Sequence, residues 1–151
     1  VDALSVSAND DTVAWYENDG SQSFAERVIT ALADNARSVY AIDVDGDGDV
    51  DVLSASSGDN TVAWYENGGA EETESEIASL LDSFDGDEPS LADGPSFQAH
   101  AITNAASAAS SVFAIDVDGD GDVDALSTSK DDDTVAWYEN DGSQSFSERV
   151  I

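Results

Sequence analysis

The sequence predicts an all-β fold: tandem four-stranded β-propeller blades, in an open array of about two and two-thirds blades with one short helical insertion. Three observations lead to this prediction. The chain has a long internal repeat, its short apolar segments are rich in Val, Ile, Tyr and Trp, and an acidic glycine-containing loop recurs at the same place in the repeat. Such residues favour strands, and four short strands repeated every roughly 40–50 residues are typical of propeller blades.

The repeat has a basic period of 49 residues. The run AWYEN occurs at 14–18, 63–67 and 136–140, so that its copies are 49 and 73 residues apart. The longer spacing indicates an insertion of about 24 residues between Asn67 and Phe97. The run AIDVDGDGDVD keeps the same spacing of 73, at 41–51 and 114–124.

These spacings divide the chain into three units. Residues 1–29 and 123–151 differ at only four positions, which is typical of a tandem duplication. We therefore expect a partial blade at 1–29, a full blade with its insertion at 30–102, and a full blade at 103–151.

Each unit contains short apolar segments separated by turn residues, which predict strands. Val50 and Val52 are expected on one face of a sheet, and Leu53 and Ala55 on the other. Apolar residues on both faces favour a sheet between two neighbours. A β-solenoid is the alternative, although its repeats are usually shorter. The predicted strands lie at 38–44, 50–56, 61–67 and 23–29.

The insertion, at about 68–92, has a different pattern. Thr73 and Glu76 match a capping box, and Gly86 is a suitable helix end. A helix at about 74–84 is expected because Ile77, Leu80, Leu81 and Phe84 fall on one helical face. It is either a decoration packed on the blade edge or a helix that docks a partner. The acids Asp82, Asp85, Asp87 and Glu88 match no cation loop.

The composition excludes several classes of function. The 34 acidic residues face only 4 basic ones, and a compact state with a formal charge of −30 repels itself unless cations neutralise it. Nucleic acid is not expected as a partner, because phosphate binding requires clusters of Lys and Arg. The chain has no cysteine, hence no disulfide or thiolate site. No apolar run approaches the roughly 18 residues of a membrane span.

The acidic loop is a predicted Ca²⁺ site. Ca²⁺ binds roughly six to eight oxygen ligands in a flexible shell, and carboxylates at loop positions 1, 3 and 5 can converge on one point. Gly48 and Gly121 stand at position 6, where the loop must turn sharply. Position 7 would contribute its backbone carbonyl, and position 9 would close the shell. The predicted ligands are Asp43, Asp45, Asp47, Asp49 and Asp51 in one loop, and Asp116, Asp118, Asp120, Asp122 and Asp124 in the other.

The loop sequence has two other interpretations. An EF-hand loop requires a bidentate Glu at position 12, whereas this sequence has Ser54 or Ser127 there, within a β-rich run. The other alternative is an acidic turn that binds no ion. Five carboxylates in nine residues, present in two near-identical copies, favour calcium over both.

The loops and the strands that follow them, DVDGDGDVDVLSAS and DVDGDGDVDALSTS, resemble the FG-GAP/VCBS repeat of integrin α-chain propellers and many secreted microbial proteins. The resemblance covers nearly all of the chain except the insertion. It implies a calcium loop between the first two strands of a blade. The Phe-Gly and Gly-Ala-Pro dipeptides that name the family are absent. The family's pattern D-x-D/N-x-D-G-x-x-D is matched at Asp43, Asp45, Asp47, Gly48 and Asp51, and at Asp116, Asp118, Asp120, Gly121 and Asp124.

Other residues fit a structural role better than catalysis. Trp15, Trp64 and Trp137 recur once per unit, which favours packing between blades over a sugar-stacking platform. His100 aligns with Arg27 on the predicted fourth strand and is expected at the surface. With one histidine, no cysteine and carboxylates assigned to calcium, no acid, base or nucleophile of an enzyme stands out.

These features predict an extracellular, calcium-binding structural or adhesive module. The alternative is the non-catalytic part of a secreted carbohydrate-active enzyme or glycan-binding protein. The chain starts at the second strand of a blade, and an incomplete ring leaves blade faces open. We therefore expect partners that are flanking repeats of a longer chain, or other copies joined head to tail as a fibre or ring. Protein or glycan ligands are further candidates.

Overall fold

The computed structural model describes residues 1–69 and 95–151. These residues form three antiparallel sheets, in which strands that are consecutive in the chain pair with each other. Sheet 1 contains β1 (Ala3–Ser7), β2 (Thr12–Asn18) and β3 (Phe24–Thr30). Sheet 2 contains β4 (Ala36–Ile42), β5 (Asp51–Ser56), β6 (Thr61–Asn67) and β7 (Phe97–Thr103). Sheet 3 contains β8 (Ala109–Ile115), β9 (Asp124–Ser129), β10 (Thr134–Asn140) and β11 (Phe146–Val150).

The all-β prediction is confirmed for the described residues, which contain strands and turns but no helix. The predicted third strand coincides with Thr61–Asn67, and the other predicted strands are displaced by one or two residues. The helix predicted at 74–84 and the acids of the insertion lie outside the described residues. No helix in the described part of the chain is long and apolar enough to cross a membrane.

Each sheet has two different faces, because successive side chains of a strand point to opposite sides. In sheet 2 Trp64 stands opposite Leu53 in the register, and Tyr65 stands opposite Val52. We call these the Trp face and the Tyr face, and use the same names for the corresponding faces of sheets 1 and 3.

The core consists of two apolar layers between the sheets. The Trp face of sheet 2, with Leu53 and Trp64, packs against the Tyr face of sheet 3, with Tyr138. The Tyr face of sheet 2, with Val52 and Tyr65, packs against the Trp face of sheet 1. Sheet 2 is therefore buried on both sides, as the apolar residues on both of its faces predicted.

Backbone hydrogen bonds also connect neighbouring sheets. The turn before β6 ends at Asn60, which has a positive φ of 60°, a conformation that Asn tolerates better than most residues. Its carbonyl accepts the Ala106 N–H at 3.0 Å, and its side-chain Oδ1 accepts the Ala108 N–H at 2.8 Å. Asp11 makes the same pair of bonds to the segment before β4. Each turn thus fixes the start of the next sheet.

Candidate metal centre

Two acidic loops connect the first and second strands of the complete sheets, one between β4 and β5 and one between β8 and β9. Gly48 and Gly121 have φ values of 100° and 104°, a region that side chains other than glycine rarely adopt. The loops therefore turn at position 6, where the sequence predicted a sharp turn. Their two conformations are closely similar, as their sequences are.

The first carboxylate of each loop organises the turn. Asp43 accepts the N–H of Gly46 at 2.8 Å through Oδ1 and the N–H of Gly48 at 3.0 Å through Oδ2. Asp116 makes the equivalent bonds to Gly119 and Gly121 at 2.7 and 3.1 Å. Such bonds to backbone groups hold a short acidic loop in one conformation.

The last carboxylate of each loop is buried. Asp51 is 0% exposed, and it accepts the N–H of Val44 through Oδ2 and the N–H of Asn67 through Oδ1, both at 2.8 Å. Asp124 is 1% exposed and accepts the corresponding N–H groups of Val117 and Asn140 at 2.9 and 2.8 Å. Position 9 thus connects the start of the loop to the end of the third strand.

The carboxylates converge in each loop, although not as one complete set. Oxygens of Asp43, Asp45 and Asp51 lie within 4.8 Å of one another, and those of Asp116, Asp118 and Asp120 do the same in the second loop. These all-oxygen donor sets suit a hard cation such as Ca²⁺. Asp47 and Asp124 belong to the same loops but lie outside these triads.

The side chains at position 7 point elsewhere. The carboxylate of Asp49 lies against Gly69, where an added Cβ would come within 2.7 Å of Oδ2. Asp122 lies in the same way against Gly142, at 2.6 Å. Both side chains therefore contact the turn after the third strand, and neither belongs to the carboxylate triad of its loop.

A family model of the FG-GAP-like repeat matches residues 1–54 and 43–127, which together span most of the chain. The chain belongs to the FG-GAP-like repeat family. Comparisons with curated proteins and with solved structures found no match.

Loss of hydration and neighbouring negative charges both raise the pKa of carboxylates in the FG-GAP-like loops. Burial raises the pKa of Asp51, although the N–H groups of Asn67 and Val44 oppose this. Loss of hydration also raises the pKa of Asp45, and the negative charges of Asp47, Glu66 and Asp43 raise it further. Loss of hydration raises the pKa of Asp118 in the second loop. A bound cation would relieve this repulsion.

Sequence reasoning missed the asparagine that ends the AWYEN run. Besides its N–H bond to Asp51, Asn67 donates from Nδ2 to the Val50 carbonyl at 3.1 Å, and its Oδ1 accepts the Gly69 N–H at 3.1 Å. Asn140 and Asn18 form the same network in their own units. The presence of this Asn in all three copies of the run could have indicated that it has a structural role.

The three tryptophans have different environments in the FG-GAP-like units. Trp64 is 2% exposed and packs between sheets 2 and 3, as predicted for a core residue. Trp15 and Trp137 are half-buried, so the three do not form one exposed sugar-stacking set. The indole N–H of Trp64 is buried and has no hydrogen-bond partner among the described residues.

The fourth-strand residues predicted at the surface contact glutamates of the AWYEN runs. His100 lies 2.9 Å from Glu66 and stacks on the Trp64 ring, with ring centroids 4.7 Å apart. Arg27 pairs with Glu17, and Arg149 pairs with Glu139, at the corresponding positions of sheets 1 and 3. His100 thus occupies the position of Arg27 and Arg149, and it contacts the equivalent glutamate.

Proposed function

We propose that this chain is an extracellular, calcium-stabilised structural or adhesive module whose three sheets are β-propeller blades. The blades comprise residues 1–29, 30–102 and 103–151, and they work in a longer array or a head-to-tail assembly rather than as an enzyme. The observation that carries the proposal is that each of two matching loops brings three carboxylates within 4.8 Å of one another.

Calcium has a clear structural task in this arrangement. The loop carboxylates are held together by backbone N–H groups, but their negative charges oppose the same geometry. A bound Ca²⁺ would convert this repulsion into attraction and fix the first strand of each complete sheet to the second. The residues that would hold it are Asp43, Asp45, Asp47, the carbonyl of Asp49 and Asp51, and Asp116, Asp118, Asp120, the carbonyl of Asp122 and Asp124.

Thermal unfolding with and without calcium tests the proposal. A ligand that binds only the folded state stabilises it by about 2.7 kcal/mol per site when its concentration is roughly 100 times the dissociation constant. For extracellular sites with dissociation constants of roughly 10⁻⁴–10⁻³ M, about 10 mM Ca²⁺ should raise the melting temperature clearly above that in EDTA. NaCl at equal ionic strength controls for screening of the net charge.

Variants of the loop aspartates test whether the increase in melting temperature comes from ion binding at the acidic loops. Asp45→Asn together with Asp118→Asn should remove most of the calcium-dependent increase in melting temperature. Asp131→Asn together with Asp133→Asn is the control, because this pair removes two exposed acids outside the acidic loops and places there the residues that other units have at Asn9 and Asn60. A melting temperature that responds equally to CaCl₂ and NaCl, starting from metal-free protein, would contradict the proposal.

A further inference from the structure

The two acidic loops have the same sequence but belong to sheets with different bases. Loop 1 (residues 43–51) and loop 2 (residues 116–124) both have the sequence DVDGDGDVD, and they make the same internal hydrogen bonds. The fourth strand of sheet 2 carries His100 opposite Trp64, whereas the fourth strand of sheet 3 carries Arg149 opposite Trp137. A difference in charge between the two sites therefore lies outside the loops.

The register places His100 on the face that also carries the buried aspartate of loop 1. His100 stands opposite Trp64, and Trp64 stands opposite Leu53. Side chains two residues apart in a strand share a face, so Glu66 shares the face of Trp64. For the same reason Asp51 shares the face of Leu53. The Trp face of sheet 2 thus carries an aspartate, a glutamate and a histidine on neighbouring strands.

Glu66 connects the histidine with loop 1. Its Oε2 lies 2.9 Å from Nε2 of His100. The residue that follows it, Asn67, donates its N–H to Asp51 at 2.8 Å. Loss of hydration raises the pKa of Asp45, and the negative charge of Glu66 adds to this effect. The charge of this glutamate therefore acts on a carboxylate of the proposed calcium shell.

Sheet 3 has the same arrangement with a stronger base. Arg149 pairs with Glu139, and its guanidinium lies 5.4 Å from the centre of the Trp137 ring. Loss of hydration raises the pKa of Asp118, and the negative charge of Glu139 adds to this effect. Each glutamate thus acts on the position-3 carboxylate of its own loop.

The two bases differ in charge above neutral pH. A guanidinium group stays protonated in proteins, so Arg149 compensates the charge of Glu139. His100 carries a charge only when it is protonated, and histidine side chains are mostly neutral at about pH 8. A neutral imidazole can still donate its N–H to Glu66, but it leaves the negative charge of that carboxylate uncompensated. Loop 1 then has an additional net negative charge beside it.

We propose that the base on the fourth strand determines the calcium affinity of the acidic loop in its own sheet. Above neutral pH, loop 1 with His100 then binds Ca²⁺ more tightly than loop 2 with Arg149, although the two loop sequences are identical. Rising calcium fixes sheet 2 first and sheet 3 afterwards. The inference rests on the function proposed above, and it makes the two bases affinity-determining residues rather than ligands.

Calcium titrations of chains with one intact loop test the proposal. Asp118→Asn leaves loop 1 intact, and Asp45→Asn leaves loop 2 intact. Calorimetry with CaCl₂ at low ionic strength and about pH 8 measures each affinity. Adding His100→Arg to the first chain should weaken binding about threefold, because a unit charge near the surface then opposes the divalent ion. Adding Arg149→His to the second chain should strengthen binding by a similar factor.

Further variants separate charge from contact. His100→Gln retains a hydrogen-bond donor for Glu66 without a positive charge, and it should leave the affinity of loop 1 unchanged. Glu66→Gln removes the negative charge itself and should weaken binding as His100→Arg does. At about 0.5 M NaCl, where the Debye length is well below about 10 Å, the effect of His100→Arg should decrease. Far-ultraviolet circular dichroism establishes that each variant is folded.

The proposal is overturned if His100→Arg leaves the calcium affinity of loop 1 unchanged, if His100→Gln weakens it equally, or if the effect of His100→Arg is the same at both salt concentrations. In these three cases calcium still binds, and the function proposed above stands. If calcium binds none of these folded chains, both the calcium function and the role of the bases are overturned.

Discussion

At the scale of single residues, the buried aspartate at position 9 has a larger role than that of a ligand. Asp51 joins the start of its loop to the end of β6 through two backbone N–H groups. Each oxygen still has a free lone pair for a cation. One carboxylate can therefore fix the strand geometry before any ion binds and then take part in ion binding.

The two hydrogen bonds of Asp51 predict a difference between two aspartates that occupy the same position in the repeat. Asp51→Asn should lower the free energy of unfolding in EDTA by about 1–3 kcal/mol, because an amide nitrogen cannot accept and one buried N–H loses its partner. Asp2→Asn should change it by less than about 0.5 kcal/mol, since Asp2 is exposed and accepts one N–H only.

Urea unfolding followed by circular dichroism measures both values. The EDTA removes any contribution of ion binding from the comparison. Equal losses of stability in the two variants would show that the second N–H bond of Asp51 does not contribute.

At the scale of elements, one strand sequence occurs in three environments. The run TVAWYEN forms β2, β6 and β10. Val62 of β6 is 0% exposed between sheets 2 and 3, whereas Val135 of β10 is 45% exposed on the Trp face of sheet 3. The local sequence is identical, so the neighbouring sheet alone determines how much each valine stabilises the fold.

A matched pair of substitutions measures that contribution. Val62→Ala should lower the free energy of unfolding by about 2 kcal/mol, because it removes two buried carbon atoms and leaves a cavity. Val135→Ala makes the same chemical change in the same strand sequence, and it should cost less than about 1 kcal/mol. Chemical denaturation of both variants gives the difference. If the two losses were equal, the packing of sheet 3 against sheet 2 would not be as described.

At the scale of the whole molecule, two properties have opposite effects on association between copies. An exposed apolar face favours association, and a large net charge disfavours it. The Trp face of sheet 3 exposes Phe113, Ile115 and Val135, whose counterparts in sheet 2 pack against a neighbouring sheet. Exposed apolar patches promote association, whereas a formal charge of −30 keeps copies apart. Cations should weaken the repulsion, because they screen the charge of the acidic residues.

We therefore expect the chain to associate with rising concentration, and more strongly in Ca²⁺ than in EDTA. Light scattering over a wide concentration range measures this. Val135→Ser should reduce association because it makes the open face more polar. Leu32→Ser is the control, since Leu32 is also exposed but lies in the connection between β3 and β4, on neither open face. A monomer at all concentrations in calcium would contradict the head-to-tail assembly.

The sequence by itself determined the repeat, the strand segments and the turning points of the acidic loops. All three depend on local properties: the two-residue alternation of strands, the preference of β-branched and aromatic residues, and the need for glycine at the positive φ of Gly48 and Gly121. The position of the candidate site follows from the same local pattern, because its aspartates lie within nine consecutive residues.

Only the tertiary structure decided which copy of each repeated residue is buried and paired. Trp64 and Trp137, or Asp51 and Asp2, stand in nearly the same local sequence, yet their exposure differs because one of each pair has a neighbouring strand or sheet that the other lacks. The bonds of Asn60 to the next sheet depend in the same way on residues far along the chain. Burial is a property of what lies next to a residue in space, and a local pattern does not specify it.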